Sequence, residues 1–278
     1  MKSNYYKGCG NIGNLKYKDF KKQRIALSNL TILPQVKQTN ISNDVFAETY
    51  YQLRYKEGRL VGDEQLRQLP KVKRWHPHYK EWKLRALSAQ RLIQYLKQLP
   101  GALDILEVGC GNGWLAAQLA ANPLWQITGS DINTTELLQA QRVFGHLPNL
   151  QFVSDSLGEG LLANKTFDII VFAASAQYFP SLKETVAQAL THSSIRGEVH
   201  IMDTLFYEPA DLVAARQRSI QYYTQLGFPQ MAQHYYHHSF QELEGFQYKL
   251  LYKPGRVWQG LSFVHHPFYH VQIKNHCL

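Results

Sequence analysis

Three cysteines in 278 residues, Cys9, Cys110 and Cys277, show no paired spacing. That excludes a disulfide framework and a zinc knuckle, and it fits a reducing compartment. No apolar run approaches membrane-spanning length, and the lysine-rich residues up to Arg24 lack the apolar stretch of a secretory signal. The expectation is a soluble, cytoplasmic protein. Internal repeats and low-complexity tracts are absent too, leaving a globular composition that is 45% hydrophobic and 18% charged. Acidic residues are scarce in one part only: residues 1–100 carry 20 Lys+Arg against 7 Asp+Glu, whereas residues 101–278 carry 10 against 14. A basic segment can meet nucleic acid, an anionic membrane surface or an acidic substrate, but this one lacks an arginine-rich or aromatic-interleaved recognition pattern. A plain solvated face explains it equally well, so nucleic acid stays open as a partner.

Residues 1–40 mix Lys, Asn, Gly and Gln with few periodic apolar positions and read as a weakly ordered extension. Residues 41–100 read as a helical cap: Val45, Phe46, Tyr50 and Leu53 recur at helical spacing, and Trp82, Leu84, Leu87, Leu92, Ile93 and Leu96 mark an amphipathic helix stopped by Pro100-Gly101. From residue 101 onward short apolar runs alternate with helical stretches, which predicts a parallel sheet with crossover helices. A helical run from Asp211 to Leu226 falls in an insertion, residues 207–245, placed after the fifth strand. Strand-like pieces follow at Phe246 to Tyr252 and Phe268 to Ile273.

The first strand runs into Glu107-Val108-Gly109-Cys110-Gly111-Asn112-Gly113 and then a helix. Glycines at alternate positions let the backbone turn sharply and admit a ligand where a side chain would collide. A dinucleotide loop reads Gly-x-Gly-x-x-Gly, whereas here Trp114 occupies the place of the third glycine, which disfavours a nicotinamide cofactor. The second strand ends in Asp131, 18 residues after Gly113, where a carboxylate can accept both ribose hydroxyls. Ile132 supplies an apolar face for adenine, and Asn133 can cap the next helix. After the third strand, Asp155 can accept from the adenine amino group, with Ser156 beside it for a backbone contact. The fourth strand opens into Ala173-Ala174-Ser175, small residues that leave room in the crevice where open α/β sheets bind ligands.

On these residues the chain resembles the class I, Rossmann-like S-adenosylmethionine-dependent methyltransferases, most of all the small-molecule enzymes similar to those of ubiquinone and menaquinone biosynthesis. The resemblance implies a seven-stranded, mostly parallel sheet with its last strand antiparallel, and S-adenosyl-L-methionine as cofactor. It also implies Glu107, Gly109, Cys110 and Gly111 along the methionine end, Asp131 on the ribose and Asp155 on the adenine. Residues 101–278 are then the methyltransferase domain, with residues 207–245 as a lid.

Methyl transfer from a sulfonium needs alignment more than an elaborate apparatus, and a general base only for an acceptor that loses a proton. Tyr178, His200 and Asp203 are the candidates for that task, although His200 inside a strand also reads as a core residue. Arg54, Arg59 and Arg85 can hold an anionic substrate or the methionine carboxylate, or simply pack on helices. No Asn-Pro-Pro-Tyr or Asp-Pro-Pro-Tyr follows the fourth strand, which demotes base-flipping nucleic-acid enzymes, and no Pro-Cys pair supports a cysteine adduct. His234, His237 and His238 lack a completing ligand, so no metal is expected. The expected function is methyl transfer to a small-molecule acceptor. The rivals are a nucleic-acid-associated methyltransferase, a non-catalytic nucleoside-binding protein and a nicotinamide-dependent oxidoreductase.

Overall fold

The structure, a computed structural model, describes residues 41–157, 160–259 and 262–275. The expected N-terminal extension, Cys9, Cys277 and His276 lie outside the described residues. Three helices come first: α1 (Ile41–Lys56), α2 (Asp63–Gln68) and α3 (Tyr79–Leu96). Then β1 (Leu103–Val108), α4 (Trp114–Leu119), β2 (Trp125–Asp131), α5 (Thr134–Phe144), β3 (Leu150–Ser154) and β4 (Phe167–Ala173) follow in strict alternation up to the third strand. The chain continues through α6 (Leu182–Thr191), β5 (Ser193–Met202), α7 (Leu212–Leu226), β6 (Tyr248–Tyr252), β7 (Gly255–Gln259), β8 (Ser262–His266) and β9 (His270–Lys274).

Seven strands form one sheet in the order β3-β2-β1-β4-β5-β9-β6. Neighbours from β3 to β5 are parallel, and β9 is antiparallel to both β5 and β6. The expected mostly parallel sheet with an antiparallel last strand is therefore the fold. That strand does not sit at the edge, however; it lies between β5 and β6. The β7–β8 ribbon, paired Gly255↔His266 through Gln259↔Ser262, and the six-residue α2 were not expected.

Central strands carry near-continuous apolar runs because both faces are covered. Ile105, Ile127, Ile169, Val171 and Met202 pack under Leu92 and Leu96 of α3 and Leu115 and Leu119 of α4. Leu106, Val108, Ile170, Phe172, Val199 and Ile201 face Leu182, Val186 and Ala189 of α6. The third cluster joins the cap to the insertion, Leu53 of α1 meeting Tyr223 and Met231. Helix starts follow local chemistry: the Asn133 side chain accepts from the N–H groups of Thr135 and Glu136, and Ser181 accepts from Glu184. Gly227, at φ +84°, ends α7 in the left-handed conformation.

Parallel register places the carboxyl ends of the strands in a row. Asp131 stands opposite Ser154, Val108 opposite Ser130, and Ala173 opposite Met202. The strand order reverses direction between β1 and β4, the switch point at which open α/β sheets form a ligand crevice.

Candidate active site at the strand carboxyl ends

The loop after β1 turns back on β2 through Gly109 N–H and Cys110 N–H, both donating to the Ser130 carbonyl at 2.8 and 3.0 Å. Its three glycines have positive φ, but different causes hold them. A Cβ on Gly109 would lie 2.6 Å from Cβ of Ser175, and one on Gly113 would lie 2.6 Å from the Phe152 ring. These two glycines make room for protein. Gly111, at φ +53°, is not crowded: a Cβ there would stand in ordinary contact with the Glu136 carboxylate, 3.5 Å away. Ser175 ties β4 to β1 by donating to the Val108 carbonyl at 2.6 Å.

Asp131 reaches across the loop: one oxygen accepts from Gly111 N–H at 2.7 Å and the other from Asn133 N–H at 2.8 Å. Burial pushes its carboxyl up, against the pull of those N–H donors. Glu107, only 2% exposed, is the more costly group. Burial raises its carboxyl to about 8, the Ala116 N–H pulls the other way, and its Oε2 has no hydrogen-bond partner. Glu136, in the first turn of α5, is raised to about 7 by burial and by the charge of Asp131. A buried polar atom left unpaired costs on the order of 1–3 kcal/mol, so such an atom beside a crevice calls for a partner from outside.

Helix α1 stands beside these acids, with Asn133 donating to its Ala47 carbonyl and the charge of Arg54 acting on Glu136. Arg54 of α1 has its Nε buried without a partner, and its nearest ion pair, to Glu57, is long at 3.8 Å. Burial opposes its charge, but Tyr50 and Glu136 more than offset that, and the guanidinium pKa is raised. Arg59 is committed to Glu57 and Glu81, and Arg85 to Glu81 at 3.0 Å. Beside Arg54, Tyr178 meets the rings of Tyr50 at 5.4 Å, Phe46 at 6.0 Å and Tyr235 at 5.9 Å, so residues from α1, the β4 end and the insertion form one aromatic wall. Burial raises the Tyr178 phenol.

Other expected residues are placed variously. Ile132, Ser156 and Ala173 stand half-buried at the strand ends. Asp155 has one oxygen on Leu162 N–H at 2.9 Å, which stabilises its own loop. The Cys110 side chain, by contrast, points inward to within 3.0 Å of the Cβ position of Gly129, and burial raises its thiol; only its backbone belongs to the loop. His200 departs from the expected catalytic list. It is 0% exposed, and both ring nitrogens are occupied, Nδ1 by His270 at 2.9 Å and Nε2 by Glu198 at 3.2 Å. Asp203 follows β5 at φ +56°, with Ser88 donating to it at 2.5 Å, and burial raises its carboxyl to about 6. His238 bonds Glu242 and the Ala176 carbonyl, and no metal-holding cluster of His, Cys, Asp and Glu occurs among the described residues. Glu136 was missed by sequence reasoning, since an acid in the first turn of a helix is ordinary.

Comparison with known proteins shows what this part of the chain is similar to. Residues 105–197 match the family model described as "Methyltransferase domain". That match runs from within β1 to within β5. Two curated relatives are named malonyl-[acyl-carrier protein] O-methyltransferase. The one from Halalkalibacterium halodurans is 34% identical over 36% of this chain and 40% of its own length. The one from Bacillus anthracis is 29% identical over 34% and 35%. The chain thus covers about two fifths or less of those relatives' own length. Solved structures share the fold at low identity. Magnesium protoporphyrin IX methyltransferase from Synechocystis, with bound S-adenosylhomocysteine, has a TM-score of 0.53 at 15% identity, covering 84% of this chain and 98% of that one. The plantazolicin methyltransferase, also with S-adenosylhomocysteine, scores 0.52 at 13% identity over 85% and 98%. No helix among the described residues is long and apolar enough to cross a membrane.

Proposed function

We propose that this chain binds S-adenosylmethionine and moves its methyl group to a small-molecule acceptor by in-line displacement. The observation that carries the reading is the set of unmet groups around Gly111. An unpartnered carboxylate oxygen on Glu107 and an unpartnered guanidinium nitrogen on Arg54 flank a crevice whose β2 tip carries Asp131. An amino-acid zwitterion joined to a ribose presents the complementary ammonium, carboxylate and hydroxyls. Glu107 takes the ammonium, Arg54 the carboxylate and Asp131 the ribose, while Asp155, Ile132 and Ser156 receive the adenine.

The bound donor supplies an electrophilic methyl carbon on a sulfonium, and the chain's own residues supply alignment. Holding nucleophile and methyl in line removes on the order of 7–11 kcal/mol of the barrier. The wall of Tyr178, Tyr50, Phe46 and Tyr235 suits an apolar or planar acceptor and keeps water out. For an acceptor that loses a proton, Asp203 is the better base than His200, because its carboxyl is raised toward neutrality whereas both His200 nitrogens are engaged. The activity for which the two curated relatives are named, methyl transfer to an oxygen, supports an oxygen nucleophile here.

Calorimetry with S-adenosylhomocysteine and, separately, NAD tests the reading. S-adenosylhomocysteine should bind and NAD should not; heat from NAD alone would replace the methyl donor with a nicotinamide.

A further inference from the structure

The Gly111 peptide lies between two carboxylates. Asp131 accepts its N–H at 2.7 Å, and its missing side chain would point at Glu136, whose oxygens stand 3.5 and 3.6 Å from the Cβ position. Both acids are fixed by one residue: the Asn133 side chain caps the N–H groups of Thr135 and Glu136, and the Asn133 N–H donates to Asp131. Asp131 already accepts a backbone N–H on each oxygen, which uses about half of a carboxylate's acceptor sites. Glu136 is uncommitted. Among the described residues it makes no ion pair, although Arg54 and Arg85 face it and lower its carboxyl against burial and Asp131. Like charges held this close repel, and a donor pair inserted between them would relieve the repulsion. The unpartnered Oε2 of Glu107, a residue only 2% exposed on β1, is an independent sign that the crevice is built for a ligand bearing donors.

We infer that Glu136 acts with Asp131 on the ribose diol of the bound nucleoside, one hydroxyl to each carboxylate, and so makes the site selective for ribose over deoxyribose. The inference rests on the methyl-donor reading above and names a residue that reading does not need.

Its test is calorimetric binding of S-adenosylhomocysteine and of its 2′-deoxy and 3′-deoxy counterparts to the intact chain and to Glu136→Gln, with thermal unfolding as the fold control. The unaltered protein should lose at least about tenfold in affinity for each deoxy compound, the worth of one hydrogen bond to a charged group. In Glu136→Gln the penalty against one of the two should shrink to within about threefold while the other persists. Glu136→Asp, which keeps the charge and withdraws it by one methylene, should fall between and serves if the Gln variant does not fold. Full discrimination against both compounds in either variant would overturn the role of Glu136. A failure of the unaltered protein to bind S-adenosylhomocysteine would overturn the methyl-donor reading as well.

Discussion

Two buried polar groups of residues lie in this molecule, and they are built on opposite terms. At the β5–β9 pairing, His270 meets His200, His200 meets Glu198, Tyr95 of α3 donates to Glu198 at 2.7 Å, and Gln272 donates to Tyr95 at 2.6 Å. Every link has a protein partner, and the hydrogen bonds from His200, Tyr95 and Gln272 hold the Glu198 carboxyl down at about 2 despite burial. At the crevice, Glu107 and Arg54 keep unpaired atoms, and burial lifts Glu107 and Glu136 far above the usual carboxylate range. A closed network holds a fold together; an open one spends stability to keep a ligand's place ready.

The comparison can be broken from either side. The largest effect is expected of Gly111→Val. A branched side chain at φ +53° in the crevice mouth should reduce S-adenosylhomocysteine affinity by roughly a hundredfold or more, and wild-type affinity in a folded variant would contradict the loop assignment. Next, Glu198→Ala opens the closed network and leaves His200 Nε2 and the Tyr95 hydroxyl proton without their acceptor. Urea unfolding should show a loss of ~3 kcal/mol with affinity unchanged within about twofold. Asp131→Ala should do the reverse, weakening binding at least about tenfold; unchanged calorimetric affinity would remove it from the site. Glu107→Gln should leave stability level or higher while weakening the ligand.

The smallest effect, on pH, sharpens the contrast. Glu107 and Glu136 have raised pKa values, so the stability they contribute is present in acid and is lost as pH rises from about 4.5 through 7 to 8. Glu198 is depressed and His270 is pushed by burial and His200 down to about 3, so their contribution is lost as pH falls from about 6.5 toward 2. Between pH 7 and 8.5, above the range in which the histidines titrate in the unfolded chain, the free protein should therefore lose stability, with a shallower slope in Glu107→Gln. An unchanged slope in that variant would show that Glu107 does not titrate there.

Much of this was legible in the residues alone. Alternating apolar runs and helical stretches yielded the sheet, and α5 begins where Asn133 was expected to cap it. The β7–β8 ribbon and α2 escaped notice; α2, at six residues, is too short for a helical period to declare itself. At the crevice, Gly109 and Gly113 looked like Gly111, since only distance separates a glycine that admits a neighbouring side chain from one that admits a ligand. Arg54 carried two readings, anion holder and packing residue, because its unpaired nitrogen depends on which groups the fold leaves out of reach. Inside β5, His200 carried both of its readings until the partners at its two nitrogens were known.

β9 is the last strand among the described residues and yet an interior one in the sheet, the bridge through which β5 and β6 are joined. During synthesis, then, β5 and β6 must wait with bare pairing edges until residues 270–274 emerge. Until β9 pairs, both strands present bare edges of the kind that invite pairing with another chain.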